Sequence, residues 1–279
     1  MYPIYPLLVA DLDGTLLNSA NQIPHIVKKR INDFRRNGGR FSIATGRSLA
    51  ECKIYLEELQ VEEPVIIYNG AAIYLPLEDR IIPLYTLSMN LMETLLQDIR
   101  KLPITADILL HSPTSMYVRR MRISTREALE QLPIRIRLFP PGLKLLEPIF
   151  KIQLIGTSEE IDRLKEWAQT YPLSNYVEFT QTEDEYFEIL PIHASKGRAL
   201  LKVLQLINFS MDQTAVIGDH CNDISMFQIA SLAATVRNAH PLAKKHATHE
   251  VPSNDANGIA TLIDHYLLRR HKKPTSTAL

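Results

Sequence analysis

Two parts of this chain, its first ~70 residues and the stretch from Ser195 onward, alternate short apolar runs with helical apolar spacing. No other feature restricts the fold as much. Leu7-Leu8-Val9-Ala10, Phe41-Ser42-Ile43-Ala44 and Val65-Ile66-Ile67-Tyr68 have the length and composition of strands buried on both faces. Between the first two, Ile26, Val27, Ile31 and Phe34 fall at helical spacing among lysines and arginines and stop at Gly38-Gly39. Ser48 to Leu59 predicts a second helix. A β-α-β-α-β order requires a parallel sheet with right-handed crossovers. The same rhythm returns with a helix through Leu200, Leu201, Leu204 and Ile207, a strand at Ala215-Val216-Ile217 and a helix near Ile224 to Ile229. A strand at Leu232 to Val236 and a final helix near Ile259 to Leu268 follow.

The rhythm breaks after Asn69-Gly70. Ala71 to Leu75 and Arg80 to Leu84 predict a hairpin around Pro76 and Asp79. Further on, Phe150 to Ile155 alternates as a half-buried strand would, and Thr157 with Glu160 forms a capping box at the start of a helix. Val177 to Thr180 and Tyr186 to Leu190 predict two more strands. This middle part reads as α+β with an antiparallel sheet. The expected fold is therefore α/β: a Rossmann-like, doubly wound parallel sheet formed by residues 1–84 and 191–279, interrupted by an inserted α+β domain at 85–190. The charge run Arg269-Arg270-His271-Lys272-Lys273-Pro274 reads as a solvated, frayed tail.

A chain of 279 residues is long enough for two such units. Its 31 basic and 31 acidic residues cancel, which argues against coating nucleic acid or an anionic membrane surface. No run approaches the roughly 18 apolar residues of a membrane span. Cys52 and Cys221 stand far apart with no C-x-x-C, so a structural zinc site is not expected. A cytoplasmic protein is the expectation.

The chemistry concentrates where the apolar runs end. Asp11-Leu12-Asp13-Gly14-Thr15 follows the first run, and on an extended backbone Asp11 and Asp13 point the same way. Convergent carboxylates are relieved by a shared proton or a bound cation. An Asp-Gly pair also builds plain turns. Gly218-Asp219-His220-Cys221-Asn222-Asp223 repeats the arrangement after another run, and Asp219 adds a hard oxygen donor of the kind Mg²⁺ prefers. Thr45-Gly46-Arg47 offers a hydroxyl, a free backbone N–H and a helix start, the parts of a phosphate site. Ser195-Lys196-Gly197 places a lysine in a first helical turn, where the dipole opposes it and an anion would favour it. All these segments lie at the carboxyl ends of predicted parallel strands or at helix starts facing them, where open α/β sheets bind ligands. Jointly they suit Mg²⁺-assisted phosphoryl transfer. The G-x-x-x-x-G-K-[ST] loop of nucleotide hydrolases is missing.

In that order, Asp11-x-Asp13-Gly14-Thr15, Thr45-Gly46-Arg47, Lys196 and Gly218-Asp219-x-x-Asn222-Asp223 resemble the motifs of the haloacid dehalogenase-like hydrolase superfamily. The long insertion between the second and third motifs resembles the C2B-type cap of Cof-like, class IIB phosphatases, as do Tyr68-Asn69-Gly70-Ala71, Glu188-Ile189-x-Pro191 and Asn238-Ala239. The resemblance implies that Asp11 is the nucleophile, forming an aspartyl-phosphate, and Asp13 the acid/base. It implies Mg²⁺ held by the Asp11 and Asp219 carboxylates and the Asp13 carbonyl. Thr45, the Gly46 N–H, Lys196 and Asn222 would bind phosphoryl oxygens, with Asp223 behind them steering Lys196. The substrate would be a small phosphorylated metabolite, with no nucleic acid or membrane partner, for a monomer or homodimer. A phosphomutase with the same acids and a non-catalytic binding protein are the alternatives. His193-Ala194 stands where the family often has Gly-Val, and Arg237 replaces a usually small residue. Cys221 and His220 fall inside the acidic segment.

Overall fold

The computed structural model describes residues 3–118, 121–130, 134–139, 145 and 147–268. The charge run at 269–274 lies outside the described residues. In chain order the first elements are β1 (Leu7–Ala10), α1 (His25–Arg36), β2 (Arg40–Ile43), α2 (Leu49–Glu58), β3 (Val65–Ile67), β4 (Ala72–Leu75) and β5 (Arg80–Pro83). The middle contributes α3 (Met89–Ile99), β6 (Asp107–His111), β7 (Ser115–Val118), α4 (Ile123–Glu130), β8 (Arg135–Leu138), β9 (Lys151–Ile155), α5 (Ser158–Gln169), β10 (Val177–Glu183) and β11 (Tyr186–Pro191). The last part holds α6 (Lys196–Ile207), β12 (Thr214–Gly218), α7 (Ile224–Phe227), β13 (Leu232–Val236), α8 (Pro241–His246), β14 (His249–Val251) and α9 (Gly258–Leu262).

The core sheet has the order β14-β13-β12-β1-β2, and every pair in it is parallel. Its strands are apolar throughout because both faces are covered. Leu8 and Ala10 pack with Val27, Ile31 and Phe34 of α1 and Ile259 of α9, while Leu7 and Val9 pack with Leu200, Val203 and Leu204 of α6. Fully burying each such Leu or Val contributes about 1.5–3 kcal/mol. The core is thus a Rossmann-like, doubly wound parallel sheet, as expected. α2 starts with a capping box between Ser48 and Glu51.

The edge beyond β2 differs from the expectation of a third fully parallel strand. β3 meets β2 through the single parallel bridge Ala44–Ile66, and its main partner is β4, in an antiparallel sheet ordered β3-β4-β5. Tyr68, Asn69 and Gly70 all have positive φ, so the chain folds back directly instead of crossing over through a helix. The expected hairpin is found as β4 and β5. Near the C-terminus α7 ends two residues short of the expected Ile229, whereas the last helix runs from Gly258 to Leu267 much as expected. Cys221–Asp223 forms a tight 3₁₀ turn ahead of α7, and the helix after α9 widens to π geometry over Ile263–Leu267.

The second sheet, the cap, has the order β10-β11-β9-β6-β7-β8. All its pairs are antiparallel except β7–β8, which α4 links as a crossover, so the sheet is mixed and not purely antiparallel. α5 opens with the predicted Thr157–Glu160 capping box. One face of the sheet, carrying Ile152, Leu154, Phe187 and Ile189, packs on Leu95 and Leu96 of α3 and Ile161 and Leu164 of α5. The opposite face corrects a sequence expectation. β9 is buried at every position, so Lys151 and Gln153 are not solvated but enclosed. Among the described residues no helix is long and apolar enough to cross a membrane.

His111, on β6 opposite Lys151, sits on this enclosed face with Nε2 3.0 Å from Gln153 Oε1. Burial, reinforced by the Lys151 charge, pushes its pKa down to about 3. The folded protein therefore holds His111 neutral, whereas the unfolded chain takes up a proton near pH ~6.5. This lowered value confers stability that is complete above pH ~6.5 and is lost as the pH falls toward 3. Denaturant unfolding should show about 2 kcal/mol less stability at pH 5 than at pH 7 from this residue. His111→Gln should remove that component, and an unchanged pH slope in the variant would contradict the assignment.

Candidate active site

β1 ends at the core sheet's carboxyl edge, and Asp11 takes up the next position with its N–H donating to the Ile217 carbonyl of β12 at 2.9 Å. The chain then turns through residues 12–16 in a π-type loop that Gly14 permits with φ +70°. Gly14 is required for space as well, since a Cβ there would lie 2.4 Å from Asp219 Oδ2. Thr15, on the same turn, donates its hydroxyl to Asp219 Oδ1 at 2.9 Å.

Lys196, the first residue of α6, has no exposed surface. Its ammonium donates to Asp11 Oδ1 at 2.5 Å and to Asp223 Oδ1 at 2.7 Å. The approach depends on Gly197, where a Cβ would meet the Ser225 carbonyl oxygen at 2.2 Å. Asp223 Oδ2 accepts from the N–H groups of Asp219 and His220, both at 3.0 Å, which closes the turn after β12. Each oxygen of Asp223 is thereby engaged within the protein.

Burial alone would lower the Lys196 pKa, but Asp11 and Asp223 outweigh it and hold the ammonium charged. Asp11 is pushed well above the carboxylate range by burial and by the charges of Asp223, Asp219 and Asp13, against the pull of Lys196. Burial and Asp223 raise Asp219 too. Carboxylate oxygens of Asp11, Asp219 and Asp223 all lie within 4.8 Å of one another. Three acids facing one lysine lack positive charge, and an all-oxygen donor set suits a hard divalent cation. These residues fit a hard divalent cation, and Asp11 and Asp219 have more oxygens free for one than Asp223, whose two oxygens are both engaged.

Asp13 departs from the expectation that it converges with Asp11. Its side chain is half exposed and pairs with Arg47 through both carboxylate oxygens, at 2.9 Å from Nε and 2.6 Å from Nη2. Thr45 is fully buried, and its Oγ1 accepts from the Arg47 N–H at 3.0 Å. The Gly46 carbonyl accepts from Lys151 at 3.3 Å. Asn222 Nδ2 donates to Asn69 Oδ1 at 2.9 Å. Asp11, Lys196, Asp219 and Asp223 thus form one connected cluster, while Asp13 stands at its exposed side on Arg47.

Several of these residues had no assigned role in the sequence. Arg47 and Asn69 lie in recognised motifs, but nothing in a motif shows which acid or amide they touch. Glu188 carries one signal, an ionisable residue inside an otherwise largely apolar strand, whereas Lys151 falls in a strand whose polar and apolar positions alternate. Arg237 reaches outward to Glu250 at 3.9 Å, Cys52 is buried, and half-buried Cys221 lies 3.5 Å from His240 Nδ1, both thiols free. His193 adopts φ +76°, a conformation that glycine takes without strain.

A capped, doubly wound α/β core with an acid cluster and buried lysine at its carboxyl edge is the architecture of a class of hydrolase. The haloacid dehalogenase-like hydrolase family matches residues 8–263. The chain is 28% identical over 286 residues to the 5-amino-6-(5-phospho-D-ribitylamino)uracil phosphatase YwtE of Bacillus subtilis, covering 93% of this chain and 97% of that one. It is 26% identical to phosphatase YwpJ of the same organism, over 94% of this chain and 99% of the relative. Its fold also matches a haloacid dehalogenase-like hydrolase from Bacteroides thetaiotaomicron, with a TM-score of 0.81 and 23% identity over 93% of this chain and 98% of that one. The chain belongs to the haloacid dehalogenase-like hydrolase family, and it is an enzyme of the phosphatase type.

The buried triad yields a stability test. Lys196→Met leaves Asp223 enclosed with no cation and should cost about 3–5 kcal/mol in urea unfolding without divalent metal. Adding Asp223→Asn to that variant should recover part of the loss, and two independent, additive losses would show that the lysine does not hold the pair.

Proposed function

We propose that this protein is a Mg²⁺-dependent phosphatase of the Cof-like kind, hydrolysing phosphomonoesters of small metabolites through Asp11. The observation that carries the reading is the enclosed Lys196 between Asp11 and Asp223, with Asp219 alongside. Such a site holds a carboxylate in place as nucleophile and presents a fixed cation to an incoming anion. The ribityl phosphate ester named for YwtE supports a small phosphorylated metabolite as the substrate class. Two free cysteines suit the cytoplasm. The functional division is read as core at 1–84 and 191–279 and cap at 85–190.

Asp11 would attack phosphorus, forming the aspartyl-phosphate as the bond to the substrate's ester oxygen breaks. Asp13 would give its proton to that leaving oxygen, then take one from the water that cleaves the aspartyl-phosphate. The Arg47 pair holds Asp13 at the exposed side of the acid cluster, which suits a group that would meet the leaving oxygen. Thr45, the Gly46 N–H, Lys196 and Asn222 would bind the phosphoryl oxygens, with Asp223 fixing Lys196 from behind. The Asp11 and Asp219 carboxylates and the Asp13 carbonyl would hold Mg²⁺, which supplies charge neutralisation at the phosphoryl group. The cap would exclude bulk water during transfer.

Purified protein with Mg²⁺ should release phosphate from a generic aryl phosphate, and chelation with EDTA should stop the release until Mg²⁺ is restored. Asp11→Asn should fall to the background rate. Asp13→Asn should lose about 10²–10⁴-fold in turnover of a substrate with a poor alkoxide leaving group. Full activity in Asp11→Asn would overturn the nucleophile assignment.

A further inference from the structure

The enclosed face of the cap sheet carries a polar chain centred on Glu188. Glu188 lies opposite Gln153 in the β11–β9 pairing, and Lys151 lies opposite His111 in the β9–β6 pairing. Glu188 Oε1 accepts from the Lys151 ammonium and from Gln153 Nε2 at 3.4 Å, and Oε2 accepts from Asn69 Nδ2 at 3.3 Å. Lys151 also donates to the Gly46 carbonyl at 3.3 Å. Asn69 Oδ1 in turn accepts from Asn222 Nδ2 at 2.9 Å. The cap therefore touches both the Thr45-Gly46-Arg47 turn and, through one amide, the turn after β12.

A primary amide can present either its oxygen or its NH₂ to a neighbour, and the network decides which. A carboxylate paired with a lysine can only accept. Asn69 must accordingly offer Glu188 its NH₂, which leaves its oxygen facing Asn222, so Asn222 must offer NH₂ as well. The same logic runs the other way: Gln153 gives Glu188 its NH₂ and turns its oxygen to His111 Nε2. Among the described residues, two buried side-chain atoms lack any partner, His111 Nδ1 and Asn222 Oδ1. Both belong to the end residues of the two arms that start at Glu188. Unpartnered acceptors at the ends are what a chain polarised by a central acceptor leaves behind, each at a cost of about 1–3 kcal/mol.

We infer that Glu188 is a positioning residue for phosphate binding: its charge, held by Lys151, fixes the amide orientation of Asn69 and through it that of Asn222. Asn222 is thereby held with its NH₂ on the Asn69 side, and the second N–H of that group is the donor left for an anion. The inference rests on the phosphatase reading, in which Asn222 binds phosphoryl oxygens. Glu188 itself touches neither Asp11 nor Lys196 in this arrangement.

The test measures the competitive inhibition constant of inorganic phosphate, with Mg²⁺ present and aryl phosphate as substrate. Glu188→Gln, which lets both amides turn over, should weaken phosphate inhibition about tenfold, the loss of one oriented hydrogen bond. Asn69→Gly suits the positive φ at that position and removes the relay, so it should show the same loss. The double variant should be no worse than either single one. If Lys151, left unpaired, prevents Glu188→Gln from folding, Lys151→Met/Glu188→Gln carries the same expectation with no buried charge. Unchanged inhibition in whichever of these folds, or losses that multiply in the double variant, would overturn the inference. A wild-type protein that neither hydrolyses aryl phosphate nor binds phosphate would instead overturn the phosphatase reading. The side-chain amide NMR signals of Asn222 in the unliganded protein, which should shift in Glu188→Gln, need no activity at all.

Discussion

A lysine with no exposed surface sits between two aspartates, and most of the structure is arranged so that it can. Lys196 begins α6, Asp11 follows β1, and Asp223 closes the turn after β12, so three separate elements must meet within hydrogen-bond distance. The parallel pairing of β1 with β12 brings the two acids to one edge of the sheet. Gly197 lets α6 approach the backbone at Ser225 more closely than any side chain would allow. Isolated, any one of these charges would be too costly to bury. Together they are tolerable but still short of positive charge, which leaves the acid cluster a candidate site for a divalent cation.

The contrast between the paired acids also follows from placement. Asp11 is enclosed, held by Lys196 and crowded by other carboxylates, whereas Asp13, two residues on, lies half exposed on Arg47. The turn between them, allowed by the left-handed Gly14, gives neighbouring carboxylates different surroundings. Environment, rather than residue type, sets the two carboxylates apart.

Much of this could be read from the chain itself. Apolar runs such as Leu7–Ala10 and Ala215–Ile217 locate the parallel strands because only strands covered on both faces dispense with polar positions. Acids directly after such runs have nowhere to point except the sheet edge. What stayed hidden depends on contacts between distant segments. Alternation in Lys151-Ile152-Gln153-Leu154-Ile155 looks the same whether its polar face meets water or a second layer of protein, so the enclosure of Lys151 and Gln153 was invisible. The turn-back of β3 onto β4 was equally hidden, since Val65–Ile67 is apolar enough for either neighbour. The Asp13–Arg47 pair is not legible in the sequence either, because the loop that turns Asp13 away begins directly after Asp11.

β11 and α6 are joined by only a few residues, so the last strand of the cap sheet and the lysine of the site are parts of one short, nearly continuous strut. This restricts how the architecture can diversify. β7, α4 and β8, at the far edge of the cap sheet from β11, can be lengthened, shortened or replaced without moving β11. β11 cannot, because a shift in its register would drag the start of α6 with it. Change in the cap is therefore expected at its distal strands and helix, with its final strand retained as the fixed abutment on which each new version is built.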